Sequence, residues 1–164
     1  MSYTYNTLSK CLRNSTFEET TWFTKIKILY RPLICPFGDL LSLIPKGSSL
    51  IDIGCGDGAF LSLISQLRSP KKLGGIDICP NQITNVKKLL ASLEVPFFLN
   101  HYDGYNLPED IASYDIVSLI DVLHHIPQER QKKFLSQLVD LMSPGSTIII
   151  KDICRSSFPL FLFN

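Results

Sequence analysis

Apolar positions along the chain fall into short continuous runs and helically spaced sets that alternate. Leu50, Ile51 and Ile53 read as a buried strand, Gly54, Gly56 and Gly58 follow as a turn, and Phe60, Leu61, Leu63, Ile64 and Leu67 then recur at helical spacing. That helix is expected to run to about Arg68 and stop at Ser69-Pro70. Lys72 to Ile78 predicts a second strand, and Pro80 opens a helix with Ile83, Val86, Leu90 and Leu93 on one face. Pro96 to Leu99 predicts a third strand, Asn100 to Ser113 a loop with one short helical turn, and Tyr114 to Ile120 a fourth strand. A helix from Pro127 to Met142, with Phe134, Leu135, Leu138 and Leu141 inward, leads to a fifth strand at Thr147 to Lys151. Strands alternating with helices in this way imply an α/β fold, a doubly wound and mainly parallel sheet of about five strands.

Upstream the pattern changes. Residues 1 to about 15 are polar and without a convincing period, which predicts a mobile arm or a loose first turn. Phe17 to Tyr30 reads as an amphipathic helix, with Trp22, Phe23, Ile26 and Leu29 at helical intervals and Glu18 and Glu19 near its start, broken at Arg31-Pro32. A short helix from Phe37 to Ile44 ends at Pro45-Lys46-Gly47. These helices either cap a ligand site or cover one face of the sheet. The 164 residues divide into a helical cap (1–48), a core (49–152) and an apolar tail (153–164) within one domain.

Composition narrows the function classes. Hydrophobic residues make up 45% of the chain, enough for a sizeable single core. With 16 basic and 15 acidic residues the net charge is +1, so no global field draws the chain to nucleic acid or to an anionic membrane, and a nucleic-acid partner is expected to be disfavoured. Arg68, Lys71 and Lys72 form a local basic cluster, either a patch or a solvated loop. Cys11, Cys35, Cys55, Cys79 and Cys154 contain no Cys-x-x-Cys pair, so neither a metal site nor a disulfide framework is expected. No apolar run approaches the ~20 residues of a transmembrane helix, and no secretory pattern opens the chain; a cytoplasmic location is the expectation.

The ends of the predicted strands carry the chemistry. In such a sheet ligands bind outside the carboxyl ends of the strands, near the point where strand order reverses. Those ends carry the glycine turn, then Asp77, then Asp103, then Asp121 with Leu123, His124 and His125 following. Asp77 stands about 20 residues after the turn, where a carboxylate can accept from two ribose hydroxyls, or where it can cap the following helix. The glycine spacing departs from the Gly-x-Gly-x-x-Gly of dinucleotide folds, and Asp57 in the turn disfavours a pyrophosphate while tolerating a cation.

Asp52-Ile-Gly54-Cys55-Gly56-Asp57-Gly58, Gly75-Ile-Asp77, Asp103 with Leu107-Pro108, and Tyr114-Asp115 through Asp121-Val-Leu-His124-His125-Ile-Pro127 together resemble the ordered motifs of class I S-adenosylmethionine-dependent methyltransferases, whose fold is Rossmann-like. The resemblance spans Phe37 to Asp152. It implies S-adenosylmethionine as cofactor, held by the turn of Gly54, Cys55, Gly56, Asp57 and Gly58. Asp52 would orient the amino group, Asp77 the ribose hydroxyls, Ile78 would flank the adenine, and Asp103 beside Gly104 would accept from the adenine amino group. Asp121 and Leu123 would line the methionine arm. Asp103 could instead serve only an Asp-Gly turn, and Asp121 only a loop. The implied reaction is in-line methyl transfer, with His124 and His125 as candidate bases or as packing residues. No Asn-Pro-Pro-Tyr or Pro-Cys segment points to a base or glutamine acceptor, which leaves a small molecule by elimination. The family usually adds an antiparallel hairpin after the fifth strand; here the hairpin strands are expected to be missing. The tail or the fifth-strand edge could then support self-association. A catalytically incomplete cofactor-binding or interaction module is the alternative reading.

Overall fold

The structure, a computed structural model, describes residues 3–15, 22–91 and 95–153. Its strands are β1 (Leu50–Ile53), β2 (Leu73–Asp77), β3 (Phe97–His101), β4 (Ile116–Ile120) and β5 (Thr147–Lys151), all parallel and ordered β3-β2-β1-β4-β5. Strand order reverses between β1 and β4. The helices are α1 (Tyr5–Asn14), α2 (Trp22–Ile34), α3 (Phe37–Ser42), α4 (Ala59–Arg68), α5 (Pro80–Leu90) and α6 (Gln128–Leu141). Each of the five strands and α3 to α6 falls within two residues of its predicted start. This is the expected Rossmann-like architecture.

Right-handed crossovers explain the layering. The chain moves from β1 to β3 in one direction and then from β4 to β5 in the other, so its crossover helices fall on opposite faces. Leu50, Leu73, Leu99, Ile116 and Ile149 pack in one core with residues of α1 to α5. Ile51, Ile53, Ile76, Val117 and Leu119 turn the other way, onto Phe134 and Leu138 of α6 and Ile111 of a short 3-10 turn (Glu109–Ser113). The period of two along a strand sorts these residues. It also turns Asp52 toward the face opposite to that of Ile51 and Ile53.

Two expectations for the N-terminal region are corrected. Residues 5–14 are helical, not a loose arm: Thr4 caps α1, its side chain accepting from the Thr7 N–H at 3.4 Å, and Leu8 and Leu12 are buried one turn apart. Two apolar residues suffice because both land on α4 and its neighbours; the polar remainder hid the period. Helix α2 is not broken at Arg31-Pro32 but continues through Pro32 to Ile34. Proline there forfeits one helical hydrogen bond, yet the Cys35 N–H still reaches the Arg31 carbonyl at 2.8 Å. Ile28 is buried and Leu29 is half-buried against the same core, whereas Trp22 and Ile26 are exposed. The side chain of Phe23, and Phe17, Glu18, Glu19, Leu93 and the tail from Cys154 onward, lie outside the described residues.

Two of the three residues of the basic cluster are used internally, and Lys71 is exposed. Arg68 donates to the Ile44 carbonyl and to the Tyr3 hydroxyl, and Lys72 pairs with Asp110 at 3.1 Å and donates to Ser113. Asp115 accepts from the Ser49 N–H and hydroxyl at 2.8 and 2.9 Å, tying the start of β1 to β4. These contacts lie at the amino ends of the strands, away from the rim that carries the glycine turn. Among the described residues, no helix is long and apolar enough to cross a membrane.

Candidate functional site

The glycine turn sits where β1 ends. Gly54, Gly56 and Gly58 all have positive φ, at 74, 52 and 77°, a region L side chains rarely adopt. The two outer glycines are also sterically required: a Cβ at Gly54 would lie 2.5 Å from Val122 Cγ2, and one at Gly58 would lie 2.9 Å from Val86 Cγ1. Gly56 differs, because a Cβ there would meet nothing within 4 Å. Its backbone therefore borders open space. The Gly54 and Cys55 N–H groups both donate to the Ile76 carbonyl, at 2.7 and 3.1 Å, which locks the turn to the end of β2.

Asp77 closes the same end of β2. One carboxylate oxygen accepts from the Gly56 N–H at 2.8 Å and the other from the Cys79 N–H at 2.8 Å, so the residue clamps the turn and also serves the start of α5. A carboxylate offers about four acceptor positions, which leaves about two for a ligand. Asp52 is buried beneath the turn and accepts from the Ser118 hydroxyl at 2.6 Å. Burial pushes its carboxyl up to about 7, against the Ser118 bond and the field of Arg31, which lower it. Burial raises Asp57 as well, opposed by Arg31 and by the Ala59 N–H that its carboxylate accepts at 3.2 Å. The Cys55 thiol is pushed up chiefly by burial, so it carries no thiolate near neutral pH.

Across the reversal point, side chains hold one another. Asp121 follows β4 with φ 59°, an uncommon value for a residue other than glycine, and is buried. Lys151 at the end of β5 meets one of its oxygens at 2.5 Å, and Arg31 of α2 meets the other at 3.4 Å. His124 and Leu123 lie in a 3-10 turn (Leu123–His125). The His124 ring nitrogen Nδ1 is 2.6 Å from Asp152, whose other oxygen accepts the His124 N–H at 3.2 Å. Burial works to raise Asp152, but the hydrogen bonds from His124 and Ile153 together carry it below the usual carboxylate range. His125 is exposed at its surface, its ring 3.9 Å from that of His124, and its pKa is lowered by partial desolvation against its neighbours and then by His124.

The third strand's loop stands apart from this arrangement. Asp103 is exposed and accepts from the Tyr105 N–H, the Asn106 N–H and the Asn106 side chain at 2.7 to 2.8 Å, which holds it below the usual range. The Asp-Gly turn reading describes these contacts, with Gly104 at φ 83° and its carbonyl accepting from Arg130. Ile78 is exposed beside Asp77. Asp52, the glycine turn, Asp77, Asp121 and the 3-10 turn thus share one rim of the sheet. Sequence reasoning missed Arg31, Ser118, Lys151 and Asp152. Asking what the fifth strand's end carries, as was asked of the first four, would have found Lys151 and Asp152; nothing in the local pattern singled out Arg31 or Ser118.

With this geometry in place, the likenesses to known proteins are informative. Residues 29–160 match a family model described as a methyltransferase domain. The chain is 30% identical over 145 residues to a tRNA N(3)-methylcytidine methyltransferase of Schizosaccharomyces pombe, covering 86% of this chain and 57% of that protein. It is also 30% identical over 122 residues to a demethylmenaquinone methyltransferase of Staphylococcus epidermidis, covering 72% of this chain and 48% of that one. The chain spans about half the length of these curated relatives. In fold it resembles the Haemonchus contortus phosphoethanolamine N-methyltransferase 1 solved with phosphoethanolamine and S-adenosylhomocysteine, with TM-score 0.67 and 16% identity over 93% of this chain and 34% of that one. Because tRNA methyltransferases stand among the relatives, a near-neutral charge does not by itself disfavour a nucleic-acid acceptor.

Proposed function

The chain belongs to the class I S-adenosylmethionine-dependent methyltransferases, and from that premise we propose that it binds S-adenosylmethionine at the β1 to β4 rim and transfers its methyl group to a small-molecule acceptor. One observation carries the cofactor half of this reading. The Gly56 backbone borders open space while its N–H is held on the Asp77 carboxylate, so a ligand's approach and the orientation of its ribose acceptor are set by one hydrogen bond. The acceptor set fits a cation better than a pyrophosphate: Asp52, Asp57 and Asp77 border the turn, while the charge of Asp121 is already answered by Lys151 and Arg31. Asp77 would hold the ribose hydroxyls; Asp52, Asp57 and Asp121 would face the positively charged methionine end. Leu123 would line that end, with Ile78 and the Asp103-Gly104 loop on the adenine side.

S-adenosylmethionine, when bound, supplies a methyl group already activated by its sulfonium, so the chain's own task is mainly orientation and exclusion of water. His125 is the better candidate base, because its ring is exposed and its lowered pKa keeps it neutral near pH 7. His124, held by Asp152, would position the 3-10 turn. A small acceptor is the reading the sequence motifs leave by elimination, and the internal use of Arg68 and Lys72 leaves only Lys71 of that cluster for a nucleic acid. A tRNA acceptor is the second reading, supported by the Schizosaccharomyces pombe relative.

Calorimetry with S-adenosylhomocysteine and with NAD tests the cofactor: binding of the first and not the second is expected, and the reverse would end this reading. A labelled methyl donor offered with phenolic and quinol small molecules, and separately with tRNA, tests the acceptor. Label in tRNA alone would favour the second reading. Cofactor binding with no transfer to either would favour the incomplete module.

A further inference from the structure

Helix α2 turns one narrow side inward and leaves a broad apolar side outward. Ile28 is 1% exposed, whereas Trp22, Ile26, Tyr30, Leu33 and Ile34 are 63, 41, 54, 61 and 41% exposed. At about 100° per residue these five cover an arc of about 120° lying roughly opposite Ile28. Lys25 and Lys27 border the arc on its two flanks. A water-facing helix ordinarily shows the reverse pattern. Exposed aliphatic residues, a Trp and a Tyr, and lysines at the margins are the composition of a helix that lies in a membrane interface.

Charge points to the same partner. Residues 1–34 hold Lys10, Arg13, Lys25, Lys27 and Arg31 against Glu18 and Glu19, a net +3 in a chain whose total is +1, and +2 once Arg31 is set against Asp121. The near-neutral total therefore conceals a basic N-terminal helical region and a weakly acidic remainder. Position matters as well: Arg31 of the same helix reaches Asp121 on the rim that carries the glycine turn. A surface bound along α2 would lie beside the mouth of the candidate site.

We propose that α2 docks this protein on an anionic lipid bilayer, with Ile26, Tyr30 and Leu33 entering the interface, and that the methyl acceptor is accordingly a membrane-resident molecule. The docking stands on the helix alone; only the acceptor clause rests on the methyl-transfer reading. A second copy of the chain and the apolar residues 158–163 of this chain are the competing occupants of the stripe.

Flotation of the full chain with vesicles of phosphatidylcholine, and with vesicles that also contain phosphatidylglycerol, tests the docking. Trp22 is the single tryptophan, so its emission reports on this helix directly. Binding to the anionic vesicles with a blue shift is expected, and far weaker binding to the neutral ones. Lys25→Gln with Lys27→Gln should weaken binding about 30-fold, at about 1 kcal/mol per lysine near an anionic surface. Ile26→Ser with Leu33→Ser should abolish it, while thermal melting shows that the variant remains folded. Phe161→Ser with Phe163→Ser should bind as the parent does. Absence of vesicle binding overturns the proposal. So does its loss in the Phe161 and Phe163 variant, which makes the tail the anchor, or a dimer that Ile26→Ser with Leu33→Ser dissociates. Vesicle binding by a chain that ignores S-adenosylhomocysteine would leave the docking standing and remove the cofactor reading.

Discussion

The two halves of the site rim are built by different physics. On the β1 and β2 side the key carboxylate, Asp77, is held by backbone N–H groups of Gly56 and Cys79, with the glycine turn fixed to the Ile76 carbonyl. On the β4 and β5 side the key carboxylate, Asp121, is held by Lys151 and Arg31, 30 and 90 residues away, and His124 is held by Asp152, 28 residues away. Backbone donors are fixed once the turn folds and do not depend on side-chain identity. Side-chain partners must be delivered by separate elements, one of them a helix of the N-terminal layer. The first half is therefore a preformed cradle, and the second is an assembly that exists only when β5 and α2 are docked.

That difference predicts unequal responses to substitution. Asp121→Asn keeps a residue type that tolerates positive φ but leaves Lys151 facing a neutral group in a largely buried setting. The expected cost is about 3 to 5 kcal/mol, read as a fall in Tm of about 10 °C. Adding Lys151→Met should recover part of it; no recovery would mean that the pair is not what holds the two strand ends. Gly54→Ala tests the seam between the halves, since its Cβ would meet Val122 at 2.5 Å and its φ is positive. About 2 to 4 kcal/mol of destabilisation is expected from overpacking and strain together. Val122→Ala in the same chain should relieve the overpacking alone.

On the cradle side the effect should appear in binding more than in stability. Asp77→Ala should weaken S-adenosylhomocysteine by about 10-fold or more, on about 1.5 to 3 kcal/mol per charged hydrogen bond. Unchanged affinity in calorimetry would remove Asp77 from the cofactor site. The smallest expected effect is in pH dependence. The folded-state pKa of Asp52 is raised to about 7 from an ordinary carboxylate value, so between about pH 4 and 7 the folded chain holds a proton that the unfolded chain has lost. Asp52 therefore favours folding less and less as pH rises through that window. Asp152 and Asp115, lowered by their hydrogen bonds, act in the opposite direction and chiefly below that window, where their stabilisation is lost as pH falls. Asp52→Asn should flatten the fall in Tm between pH 4 and 7 by a few degrees; a profile identical to the parent's would show that Asp52 does not titrate in this range.

The sequence by itself determined the sheet, the glycine turn and the acidic strand ends, because each is written in local pattern. Short apolar runs and helical spacing located β1 to β5 and α3 to α6, and the ordered motifs from Asp52 to Pro127, each short and local, carried the family resemblance together. Tertiary structure decided what those strand ends touch. Asp103 spends its carboxylate on its own loop, Asp121 is claimed by Lys151 and Arg31, and the two adjacent histidines part company, one bonded to Asp152 and the other exposed. It also decided which face of α2 is buried, since apolar residues occur around most of that helix and only its neighbours select Ile28. Local spacing reports a residue's own backbone and the side of an element it occupies. Ion pairs and buried faces depend on which distant segment arrives beside it, and that is set by the packing of the whole chain.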